Sequence, residues 1–106
     1  MAKYLFEGNY VGDGVKGLMN EGGTARRNAA AAAMESVGGT LDCMYYAFGD
    51  TDLYGIADLP DVASAAAVSL LINASGVVEV RLTPLLEVTD LDAAAKKTPS
   101  YTPPAT

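Results

Sequence analysis

The 106-residue chain has no histidine and no tryptophan, and Cys43 is its one cysteine. These absences exclude disulfide frameworks, zinc clusters, His-ligated haem and any Ser-His or Cys-His dyad within the chain, and with them most of the common enzyme chemistry. Positive charge is scarce as well. Seven Lys plus Arg against thirteen Asp plus Glu give a formal charge of −6, which repels a phosphate backbone, so nucleic acid is not an expected partner. No apolar run approaches the roughly eighteen residues needed to cross a bilayer, so no membrane span is expected either. Met1-Ala2-Lys3 leads at once into Tyr4-Leu5-Phe6, without the charged region, apolar core and cleavage site of a signal peptide, which predicts a cytoplasmic protein. The lone cysteine agrees with a reducing compartment. Gly12, Gly14 and Gly17 are spaced too irregularly for a phosphate-binding fingerprint, and neither a metal nor a cofactor is expected.

What the chain does have is hydrophobic residues, at 50%, in a pattern whose period switches repeatedly. Lys3 to Tyr10 alternates, with Tyr4, Phe6 and Tyr10 on one face, and predicts a strand. Val11 to Val37 has helical spacing broken at Gly22-Gly23. Val15, Leu18 and Met19 form a first stripe; Ala30, Ala33, Met34 and Val37 form a second, with Thr24 as its expected N-cap and Gly38-Gly39 as its left-handed end. Thr40 to Phe48 and Leu53 to Leu59 predict a hairpin of two strands. Asp61 caps a helix to about Ala74, Val77 to Thr83 alternates as a last strand, and Thr89 to Lys97 is a short helix with acids early and lysines late. The expected fold is α+β, a ferredoxin-like βαββαβ with an extra C-terminal helix. One domain over residues 1–97 and a Pro-rich tail over 98–106 complete the organisation.

One face of such a sheet lies under the helices and the other is ordinarily polar. Here both predict burial. Simple alternation puts Leu41, Cys43, Tyr45 and Ala47 on one face of the second strand and Met44, Tyr46 and Phe48 on the other. Met44, Tyr46, Phe48, Tyr54 and Ile56 are therefore the expected interface of a homodimer or higher homo-oligomer, sheet against sheet. Exposing several such side chains would forfeit several kcal/mol at roughly 25 cal/mol per Å².

The order of several short motifs carries a resemblance: Gly22-Gly23-Thr24-Ala25-Arg26-Arg27, Gly38-Gly39, Tyr46-Ala47-Phe48-Gly49-Asp50-Thr51-Asp52, Leu59-Pro60-Asp61 and Asn73-Ala74-Ser75-Gly76. In these, over nearly its whole length, the chain resembles the GYD domain family of small bacterial proteins. The resemblance implies a ferredoxin-like subunit of the dimeric α+β barrel type and no particular activity. Where the naming motif sets an aromatic beside an Asp, this chain has Thr51.

Four residues are candidates for a ligand site. On a helix of 100° per residue, the stripe Ala30, Ala33, Met34 and Val37 averages about 30° from Arg26, so Arg26 leaves the helix near its buried side. An inward guanidinium either pairs with Asp50, Asp52 or Asp58, snorkels to solvent, or awaits a carboxylate or phosphate ligand. Asp58, in the third strand, is either a base of raised pKa or an acid satisfying an Arg or capping the next helix. Tyr45 is a hydrogen-bond donor to a ligand or an interface residue. Asn73 orients a ligand or bonds a loop carbonyl. Cys43 has no activating neighbour in sequence and reads as a small buried hydrophobe.

Two functions fit. The preferred one is a non-enzymatic small-ligand binding or oligomeric accessory module. The alternative is a cofactor-independent enzyme of oxygenase or isomerase type, in which Asp58, Arg26 and a tyrosine polarise a small organic substrate between sheet and helices. A closed, side-chain-filled interior favours the first, and a cavity of a few hundred Å³ lined by Arg26 and Asp58 favours the second.

Overall fold

Alternation in the first strand has the consequence expected of it: Tyr4, Phe6 and Gly8 are buried and Leu5, Glu7 and Asn9 point the other way. In the computed structural model, which describes residues 1–105, the elements are β1 (Ala2–Tyr10), α1 (Gly14–Glu21), α2 (Gly23–Ser36), β2 (Thr40–Tyr46), β3 (Leu53–Leu59), α3 (Val62–Ala74), β4 (Val78–Pro84) and α4 (Val88–Ala95). The four strands form one antiparallel sheet in the order β2-β3-β1-β4. That is the ferredoxin-like α+β arrangement, with α2 and α3 on one face.

The helix ends follow local chemistry. Asp61 accepts the Ser64 N–H at 2.6 Å and starts α3. At the end of α2, Gly38 has φ +85°; its N–H donates to the Glu35 carbonyl at 3.0 Å, and the Gly39 N–H donates to the Met34 carbonyl at 2.9 Å. This paired closure needs the left-handed conformation that glycine supplies. The start of α2 differs from expectation. Its N-cap is Gly22, at φ +87°, and Thr24 lies inside the first turn without a capping bond. The stripe of Val15, Leu18 and Met19 does not enter the core either: Val15 and Met19 are exposed. Helix α1 meets the sheet through its backbone instead, at Gly14, where a Cβ would run into the Val77 carbonyl.

The core comprises Tyr4, Phe6, Met34, Leu53, Ala57, Leu59, with Ala65 and Val68 of α3 and Val80 of β4. On β3 the alternation holds throughout, Leu53, Ala57 and Leu59 facing the helices. On β2 it fails. Leu41 pairs with Ala57 and Cys43 with Ile56, so two residues of β2 span one step of β3, and Asp42 is the inserted residue of a β-bulge. Past the bulge the side chains exchange faces.

The chain beyond β4 stands apart. Every described residue from Thr83 onward is exposed, α4 buries none of its residues, and Thr98 to Ala105 have no regular structure. Thr106, the last residue of the expected tail, lies outside the described residues. The radius of gyration is 16.9 Å, against about 13 Å for a compact chain of this length.

Candidate functional site

Helix α2 faces the sheet with alanines where a larger residue would fill the space, and β1 contributes Gly8, which has no side chain. A cavity of about 190 Å³ results between α2, α3 and the sheet, partly open to the outside. Phe6, Ala30, Ala33, Met34, Met44 and Val80 form most of its apolar wall. Arg26 and Tyr10 are its polar groups, and no carboxylate among the described residues lines it.

Arg26 leaves α2 toward the buried side, as its position relative to Ala30 and Ala33 predicts, and a third of its side chain is exposed. None of the three expected aspartates reaches it. Its ion-pair neighbour is Glu21, with Nη1 to Oε2 at 3.5 Å and Glu21 about half exposed. The Tyr10 phenol lies beside Tyr46 and Arg26. Burial, followed by the adjacent Tyr46 phenol, pushes the Tyr10 pKa up to about 12, so this hydroxyl is a proton donor throughout the neutral range. Tyr46 is committed elsewhere, its hydroxyl donating to the Gly23 carbonyl at 2.9 Å. The hairpin loop fixes the end of β1, because Asp52 Oδ2 accepts the Tyr10 N–H at 2.9 Å and the Asp52 N–H meets Asn9 Oδ1 at 3.0 Å.

The other three expected ligand residues are not beside Arg26. Asp58 lies across the sheet on the open face, where it accepts a hydrogen bond from Lys3 at 2.9 Å. Lys3 also donates to Asp42 at 2.6 Å, and these two carboxylates, Asp42 first, raise its pKa above the usual lysine range. The acid expected to satisfy an arginine thus satisfies a lysine. Tyr45 points to the open face as well and is 70% exposed. Asn73 takes the structural role, with a strand in place of the expected loop: its amide donates to Ser69 O at 2.8 Å and Val80 O at 3.1 Å, while its Oδ1 accepts the Val80 N–H at 2.8 Å. It thereby satisfies both backbone groups of Val80 on the edge strand β4.

The expected interface set is divided by the bulge. Met44 and Tyr46 pair with Gly55 and Leu53 and share their helix-side face, and Phe48 lies in the loop after β2. Tyr54 and Ile56 remain on the open face, joined by Tyr45, Cys43 and Leu5. Cys43 is half-buried there. Tyr10 is not among the four residues that the sequence suggests for a site, although a tyrosine ending the buried face of a strand has an apolar ring and a polar tip suited to a cavity mouth.

A ferredoxin-like α+β domain with an apolar cavity under its helices, and an arginine and a tyrosine at the cavity's polar end, defines the class. Within it, the GYD domain family model matches residues 4–95, and the chain belongs to the GYD domain family. No curated protein and no solved structure matches it. No described helix is long and apolar enough to cross a membrane, and no group of metal-ligating side chains occurs among the described residues.

Proposed function

We propose that the chain is a non-enzymatic small-ligand binding module that works as a homo-oligomer. The observation that carries the binding half is the cavity beneath α2, about 190 Å³ and almost wholly apolar, with Arg26 at its polar end. A concave, mostly apolar recess with a few polar groups is the usual form of a small-ligand site. The alternative of a cofactor-independent enzyme loses its base, because Asp58 is on the opposite face of the sheet and held by Lys3.

Surface area supports the oligomeric half. A compact monomer of this mass exposes about 5,600 Å², whereas the chain exposes 7269 Å². The difference exceeds the roughly 800 Å² that one partner covers in a stable interface. Exposed apolar side chains lie on the open sheet face, at Tyr45 and Tyr54, and along the C-terminal arm, at Leu86, Val88 and Leu91. A second copy of the chain covers such surfaces without exposing new ones.

The binding half is tested by titrating the protein with benzene and following the methyl signals of Ala30, Ala33, Met34 and Met44 by NMR. Saturable shifts confined to these groups, lost in Ala33→Leu, are expected. Unmoved signals overturn the reading.

A further inference from the structure

Arg26 and Tyr10 line the cavity and also a second recess beside α1, so they stand at the border between the apolar interior and the outside. Arg26 has donors to spare. A guanidinium carries five N–H donors, and that of Arg26 has one loosely held carboxylate, Glu21 at 3.5 Å, itself about half in solvent. Tyr10 keeps its proton at neutral pH and lies within hydrogen-bonding reach of Tyr46 and Arg26, so its hydroxyl meets a guest by turning from Tyr46. Two donor groups at the mouth of an apolar volume match an acceptor with two oxygens on an apolar body.

We infer that the cavity takes a small monocarboxylic acid whose carboxylate is received by Arg26 and Tyr10 and whose compact apolar body lies beneath α2. The inference rests on the binding reading above. Size follows from volume: a cavity of about 150 Å³ holds benzene, so the 190 Å³ available here suits a ring or a short chain of about six to eight carbons. Charge follows from the surroundings. One guanidinium neutralises one negative charge, and the recess outside carries Asp13 and Glu21. A phosphate dianion would bring a second charge to a place with no second cation, on a chain whose net charge is already −6. Neutral molecules of the same shape fill the volume but leave the guanidinium unmatched.

Calorimetric titration of the full chain tests this with benzoate and octanoate, their neutral counterparts benzamide and octan-1-ol, and acetate and inorganic phosphate. The carboxylates are expected to bind at least about tenfold more tightly than the neutral counterparts and than acetate or phosphate. Arg26→Met should erase that preference while leaving benzamide binding in place, and Tyr10→Phe should reduce it several-fold. Because Glu21 is solvated, Arg26→Met should keep its fold, and Arg26→Gln serves as a second variant of the same test. Equal affinity for carboxylates and neutral counterparts overturns the ligand class and leaves the binding reading standing. Failure of every organic probe overturns both. A preference that survives Arg26→Met, or phosphate binding as tight as benzoate binding, also overturns the ligand class.

Discussion

The Phe6 ring lies over Gly55, its cross-strand partner, so closely that a Cβ at position 55 would overlap the ring. Both residues face the helices, and the ring takes the place of the side chain that Gly55 lacks. Gly55→Ala should therefore displace Phe6 and cost about 1 to 3 kcal/mol by overpacking. Urea denaturation measures it, with a lower midpoint and an unchanged slope as the expected result.

The bulge at Asp42 separates two adjacent tyrosines in role. Tyr45 is on the open face, and Tyr46 reaches the start of α2 through Gly23. Tyr45→Glu should reduce the mass seen by light scattering to one subunit while the far-UV spectrum stays intact. Tyr46→Glu should lower the melting temperature without that selective dissociation. The reverse pattern would move the oligomer contact to the helix side of the sheet.

The C-terminal arm contributes nothing to the core, so ending the chain after Leu86 should leave the melting temperature at low concentration nearly unchanged. At high concentration the full chain should be the more stable of the two, since an assembly's stability rises with concentration through binding. Melting curves over a hundredfold range of concentration check this. Identical curves would mean that the arm covers no second copy.

Alkaline titration should find Tyr10 ionising late. Tyr10 is raised from the ordinary 10.0 to about 12 in the folded protein, so the folded state holds its proton more tightly than the unfolded state. The associated stability is complete below pH 10 and lost as pH rises from about 10 to about 12. Tyrosinate absorbance should show an ionisation near the upper end of that window that is lost in Tyr10→Phe, and the variant should lose stability less steeply across it.

Local pattern and residue chemistry determined the strand and helix segments, the Asp61 cap, the glycine closure of α2 and the inward lean of Arg26, because each depends on residues within a turn or two of one another, and the order of those segments pointed to the ferredoxin-like fold. The faces of β2 were beyond them. A period-two pattern assumes an unbroken ladder, and the single extra residue at Asp42 re-aims every later side chain, a displacement that exists only relative to β3. The partners of Arg26 and Asp58 were likewise decided in three dimensions. Alternation along β3 already turns Asp58 away from the helices, and Lys3 stands opposite it only through the pairing of β1 with β3. The cavity itself is a tertiary product: alanines at 30 and 33 are ordinary helix formers in sequence, and they leave room only because the sheet, α2 and α3 close around them without filling the space between.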